Sequence, residues 1–293
     1  MAKILITGAK SFVGTNFRRF SKYREVDEIS LYEHKPEEIN FAQYEIVLHL
    51  AGIVHQSKKI PDKEYFIVNR DLCLNVAKHA KKGGVKQFIF LSTVKVYGNF
   101  ITGTNIRNED STCFPDDPYG KSKLEAEFGL RKLEGHDFIV SVIRTPLVYG
   151  DGVKANMMSL VRLVEKTPVL PFKGINNKRN FTYIENLVGF IDQIIIKKAS
   201  GVFIAMDVKA ISTTELLNLI SKYLGKKNRL FKLPGLFVRV GKYFIPRVFE
   251  RLYGSLEVDN TRTLKELDYE PPFSTEEGIK KMIFAYKNGN SKY

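Results

Sequence analysis

Cysteine is scarce, with Cys73 and Cys113 the only two. Two thiols cannot build a disulfide framework, and they show no metal-ligand spacing, so no metal site is expected. Long apolar runs are also missing. The longest clusters, "FIVSV" and "IDQIII", fall far short of the roughly 20 residues that cross a bilayer. The start "MAKILITG" lacks the extended apolar core and small-residue cleavage site of a secretory leader, which predicts a cytoplasmic protein with reduced thiols. Acidic residues are in deficit: 32 Asp and Glu stand against 46 Lys and Arg, a net charge of +14. Such a surface attracts polyanions, anionic headgroups or phosphate-bearing substrates. No block of six like charges occurs, nor any zinc-finger, helix-turn-helix or RNA-binding signature, so nucleic acid is not the expected partner.

What is present is an ordinary globular composition, 44% hydrophobic and 27% charged over 293 residues. That length suits two lobes sharing a cleft. Strand-like segments at 3–7, 28–32, 44–52, 87–93 and 138–144 alternate with amphipathic stretches such as 65–84. Several of these strands are apolar on both faces, as a parallel sheet covered by helices requires. The fold class expected is α/β, a Rossmann-like doubly wound parallel sheet with a smaller, mostly helical C-terminal lobe. The expected division is 1–155, with 182–207 returning to the sheet, as the nucleotide-binding domain. Segments 156–181 and 208–293 would form the substrate-binding lobe, with a ligand cleft off the carboxyl ends of the strands.

Three motifs carry chemistry. "KILITGAKSFVGTNF" (3–17) runs a strand through Gly8 to Gly14 and into a helix, with Ser11 where another glycine would usually stand. Such a turn offers backbone N–H groups and a positive helix end to a pyrophosphate. If position 11 needs a positive φ, serine costs on the order of 1 kcal/mol, and Ser11→Gly should tighten binding. Glu33, just past the second strand, is placed to hold a ribose 2′-OH and would favour NAD. His34 and Lys35 beside it keep NADP open. "LSTVKVYG" (91–98) puts the hydroxyls of Ser92 and Thr93 at the carboxyl edge of the sheet. "DDPYGKSKLEAE" (116–127) sets Tyr119 and Lys123 four apart on one helix face. An ammonium near a phenol lowers its pKa from about 10 toward the range of a general acid/base.

In this order the three motifs resemble the extended short-chain dehydrogenase/reductase family, among its nucleotide-sugar epimerases, reductases and dehydratases. "LHLAG" (48–52), "VIRTPLVYGDGVKAN" (142–156), "RNFTYIENL" (179–187) and "GSLEVDNTRTLKELDYEPPFSTEEGI" (254–279) extend the likeness over nearly the whole chain. The resemblance implies hydride chemistry at C4 of a UDP-sugar. Tyr119 would exchange the hydroxyl proton, Thr93 would bond the reacting oxygen, and Lys123 would hold the ribose and depress the tyrosine pKa. NAD, with NADP the alternative, would lie against Gly8, Ser11, Phe12, Val13, Gly14, Glu33, Leu50, Ala51, Gly52, Asn69, Lys123 and Pro146. Thr93, Lys95, Asn156, Arg179 and Arg251 would contact the substrate. Dehydration is disfavoured, because Val94 and Lys95 stand where dehydratases carry an Asp-Glu pair. The leading expectation is therefore a UDP-hexose or UDP-N-acetylhexosamine 4-epimerase serving surface-polysaccharide synthesis. The alternatives are an NAD(P)H-dependent 4-ketoreductase and a non-catalytic NAD(P)-binding regulatory module. A homodimer is implied, formed through helices near 65–82 and 118–133. The basic, aromatic stretch 229–254 could lie on a membrane surface. Pro234 and Pro246 would interrupt its amphipathic face, so a helix packed over the substrate is the favoured expectation.

Overall fold

The computed structural model describes residues 2–54, 60–98, 106–154, 156–244, 249 and 252–289. Six parallel strands form the central sheet: β1 (Ile4–Thr7), β2 (Val26–Ile29), β3 (Ile46–His49), β4 (Gln87–Thr93), β5 (Ile139–Thr145) and β9 (Gly201–Ile204), in the order β2-β1-β3-β4-β5-β9. Residues along β1 alternate between two cores, as the pleat demands. Ile4 and Ile6 pack with Phe17 of α1 (Phe12–Phe20) and Ile191 of α6 (Ile184–Ile196). Leu5 packs on the other face with Val76 of α3 (Cys73–Lys82) and Leu130 of α4 (Pro118–Leu133). Both faces are covered, which is why these strands read as continuous apolar runs.

The chain reverses direction across the sheet between β1 and β3, and this opens a crevice at their carboxyl ends. Strand β2 ends at Ile29, earlier than the expected 28–32, because Ser30 O accepts the N–H groups of Glu33 and His34 in a turn. The link to β3 carries two 3-10 turns, Pro36–Glu38 and Phe41–Gln43. Past β3, α2 (Asp62–Phe66) continues through a π-helical stretch, Ile67–Leu72, into α3.

Beyond β5, β6 (Leu147–Tyr149) pairs in parallel with β8 (Phe181–Tyr183), and α6 then leads back to β9 at the sheet edge. Buried Asp207, after β9, ties these pieces together. Its carboxylate accepts from Tyr149 Oη, Tyr183 N and Asn186 Nδ2, each at 2.8 Å. Helices α5 (Asn156–Lys166) and α7 (Thr213–Leu224), with Thr275–Lys287 near the C-terminus, pack around the same core. Helix α8 (Gly235–Phe244) instead stands with most of its side chains in solvent.

Candidate active site

Loops from the carboxyl ends of β1, β3 and β4 converge on one edge of the sheet. Gly8 has φ +113°, and a Cβ there would lie 2.7 Å from Ala51 N, so only glycine lets the loop after β1 touch the loop after β3, here called the third loop. Ser11 is extended, with φ −69°, and caps α1 by accepting Gly14 N–H at 3.1 Å. The left-handed residue is Lys10, at φ +59°. The strain considered for Ser11 is therefore absent, and serine here is a good N-cap. By helix geometry the amides of Phe12 and Val13 are left as orphan donors at the positive end of α1. Gly14 is confined too: a Cβ would meet Ser11 Oγ at 2.8 Å and Glu28 Oε1 at 3.3 Å.

Glu28 escaped the sequence reading. Its Oε2 accepts from Lys10 N at 3.2 Å, while Oε1 is buried and without a partner among the described residues. The available signal was its distance from Gly8, which matches the roughly 20-residue offset of a ribose-binding acid. Glu33 is exposed in the turn beyond β2.

Thr93 ends β4, and its hydroxyl caps the following 3-10 turn and bonds the Tyr119 phenol. Tyr119 enters α4 behind Asp117, whose carboxylate accepts Gly120 N–H at 2.7 Å and also pairs with Lys95 at 2.9 Å. The Tyr119 ring packs edge-on against Tyr65, centroids 6.4 Å apart. Burial pushes the phenol up to about 12, opposed by the bond from Thr93 and assisted by the nearby Asp117 charge. That direction is opposite to the one expected from Lys123. The reason is where the ammonium sits: Lys123 Nζ donates to Leu91 O at 2.9 Å and lies 4.4 Å from the Phe90 ring centroid. It also lies 3.3 Å from where a Gly52 Cβ would be, so it faces the third loop. Burial lowers its pKa to about 8. The arrangement thus holds a protonated phenol on a threonine hydroxyl, with a buried cation on the same helix turned toward the loop after β3.

A buried network fixes this geometry. Arg144 on β5 holds Glu127 of α4 at 2.6 Å and donates to Tyr97 Oη at 2.8 Å, while Ser92 Oγ donates to the same Glu127 carboxylate. Glu127 lies one turn beyond Lys123, so the network locks α4 against the strand that carries Thr93. The Ser92 hydroxyl is thus committed to the Glu127 carboxylate on α4. Asn69, buried on the π-helical stretch, clamps the third loop through Ile53 N at 2.8 Å and Ile53 O at 3.0 Å, and reaches Ser122 Oγ at 3.1 Å. Its amide is spent on holding Leu50–Ile53 to α4.

The family model described as the NAD dependent epimerase/dehydratase family matches residues 4–204. A UDP-glucose 4-epimerase of Vibrio cholerae is 34% identical over 99% of this chain and 97% of its own. The chain belongs to the NAD dependent epimerase/dehydratase family. An N-acetyl-alpha-D-glucosaminyl-diphospho-ditrans,octacis-undecaprenol 4-epimerase of Escherichia coli O157:H7 is 27% identical over 82% of this chain and 78% of its own. The solved UDP-glucuronic acid 4-epimerase of Bacillus cereus in complex with NAD superposes with a TM-score of 0.76 at 19% identity, covering 98% of this chain and 99% of that one.

As a member of this family the chain is an NAD-dependent enzyme of the extended short-chain dehydrogenase/reductase type. The residues present fit a dinucleotide. The loop leaves no room for a Cβ at Gly8 or Gly14, α1 points its N-terminus at the crevice, and Glu28 Oε1 beside it is an acceptor without a partner among the described residues. Pro146, after β5, is buried at the same edge. The other expected substrate contacts are spread more widely. Asn156 is exposed at the start of α5. Arg179 is half-buried, its Nη1 donating to Gly254 O at 3.1 Å and its backbone paired with Ile211. Arg251 lies outside the described residues.

Proposed function

We propose that this protein is an NAD-dependent epimerase acting at C4 of a UDP-hexose or UDP-N-acetylhexosamine, in the supply of surface-polysaccharide precursors. The observation that carries the reading is the bond between Thr93 and Tyr119 at the sheet edge, with Lys123 turned toward Gly52. When bound, NAD supplies a hydride acceptor that can return the hydride to either face of the oxidised carbon. The Tyr119 phenol gives up its own proton to solvent as the complex forms, and the phenolate then takes the C4 hydroxyl proton, relayed through its bond to Thr93, and gives it back. Lys123 holds the nicotinamide ribose and favours negative charge developing on the phenol once substrate and cofactor exclude water. Glu28 and Glu33 are the carboxylates available to the adenosine ribose, which favours NAD over NADP. Lys95, Asn156 and Arg179 are the groups we assign to the sugar nucleotide, with Arg179 suited to a phosphate by its planar fork.

Ser11 is unstrained, so the loop offers no reason to expect the loosely held, exchanging cofactor that the reductase alternative would use. A second epimerase reading is favoured by the exposed α8: the sugar could be carried on a lipid diphosphate, as the name of the Escherichia coli relative states for that protein. We further propose a homodimer through 65–82 and 118–133, where Ile67 and Phe128 stand exposed. The test is to denature the purified protein, assay the released nucleotide, and incubate intact protein with each UDP-sugar pair. Retained NAD and interconversion of C4 epimers are expected. An empty site, with stoichiometric NAD(P)H consumption on a 4-keto sugar, would establish the reductase instead.

A further inference from the structure

Helix α8 turns its apolar side outward. Leu236, Phe237, Val240, Tyr243 and Phe244 are between 45% and 80% exposed. At 100° per residue they fall within an arc of about 120° on one side of the helix. Val238, on the other side, is half-buried. A helix of a globular protein normally hides such a stripe in the core. Phe231, just before the helix, adds a ring that is 45% exposed. Lys226, Lys227, Arg229, Lys232 and Arg239 are exposed around the stripe, and the sequence has no acidic residue between Lys226 and Phe249. Pro234 does not interrupt this face: it precedes the helix and its carbonyl accepts Phe237 N–H at 3.0 Å, while Pro246 follows Phe244 in sequence and lies outside the described residues.

We propose that α8 and its basic flank form a membrane-surface anchor. The apolar stripe enters the boundary between headgroups and acyl chains of a bilayer rich in anionic phospholipid, and the cations hold the headgroups. Charge decides the occupant. A second copy meeting this face about a two-fold axis would bring the same cations against each other, whereas an anionic bilayer complements them. The helix lies on the bilayer and does not span it, since no described helix is long and apolar enough to cross one. The inference does not rest on the epimerase reading and would survive its failure.

The test is co-sedimentation of the full chain with phosphatidylcholine vesicles, with and without about 30% phosphatidylglycerol, at about physiological salt. Binding to the anionic vesicles is expected to exceed binding to the neutral ones by about tenfold. Phe237→Ser with Tyr243→Ser, and separately Lys232→Glu with Arg239→Glu, should each lower it about tenfold with unchanged circular dichroism. Equal binding to both vesicles, or undiminished binding by both variants, overturns the proposal. So does a wild-type dimer that ignores vesicles and dissociates in the serine variant, which would make a second copy the occupant.

Discussion

Lys123 loses most of its contact with water between Gly52, Phe90 and the Leu91 carbonyl, and burial lowers its pKa from 10.5 to about 8. Cys73 and Glu127 oppose the shift without cancelling it, and the adjacent His49 on β3 is itself buried and held neutral, with its pKa pushed down to about 3. A cation whose folded pKa is depressed is a stability cost that is complete below pH 8. The cost fades as pH rises toward 10.5, because over that range the unfolded chain binds the extra proton. Its size is roughly 3 kcal/mol. Lys123→Met is therefore expected to abolish turnover while raising Tm at pH 7, with the gain shrinking at pH 10. A melting curve lower than wild type at pH 7 would contradict this. In the cofactor loop, Lys10→Gly should stabilise by about 1 kcal/mol by relieving the left-handed backbone. Ser11→Gly should instead cost a few tenths of a kcal/mol through the weakened cap. Urea titrations of the two variants decide between them. The missing glycine was legible in the sequence, but which residue carries the positive φ was not, since that depends on how the loop docks on Ala51.

Among the elements, α4 bears the heaviest demand, because Tyr119 and Lys123 must stay in register with Thr93 on β4. The Arg144–Glu127 pair that secures it is about 5% exposed on both sides. Removing one partner strands a buried charge, so Glu127→Ala should cost about 3–5 kcal/mol. Glu127→Leu with Arg144→Met should recover most of that stability, as thermal denaturation would report. The strands β1, β3, β4 and β5 were readable as apolar runs, because burial on both faces writes itself into composition; the edge strand β2, with Asp27 and Glu28 in it, has no such run. The Arg144 network was not, since a charged residue inside a strand reveals a need for a partner but not which helix supplies it. The end of β2 was misplaced because Leu31 and Tyr32 extend the apolar pattern, while the Ser30 turn is set by hydrogen bonding. Prolines in 229–254 were read as breaks, although Pro234 precedes α8 and bounds that helix rather than bending it, and Pro246 lies outside the described residues.

For the whole molecule, the order of three weak motifs carried the family, because a doubly wound sheet brings the carboxyl ends of its strands to one edge whatever separates them in sequence. That topology makes Gly8, Gly52, Thr93, Tyr119 and Lys123 neighbours. It does not specify the sugar, since the candidate substrate groups Asn156 and Arg179 lie on segments whose packing depends on the C-terminal helices. The central claim is that Tyr119 moves the C4 proton in an NAD-dependent epimerisation. Purified protein supplied with NAD and single UDP-hexose or UDP-N-acetylhexosamine epimers, wild type beside Tyr119→Phe, tests it directly. The account predicts interconversion by wild type without net reduction of NAD, and a loss of at least about several hundredfold in the variant. Undiminished turnover in Tyr119→Phe, or no interconversion of any pair by wild type, would contradict it.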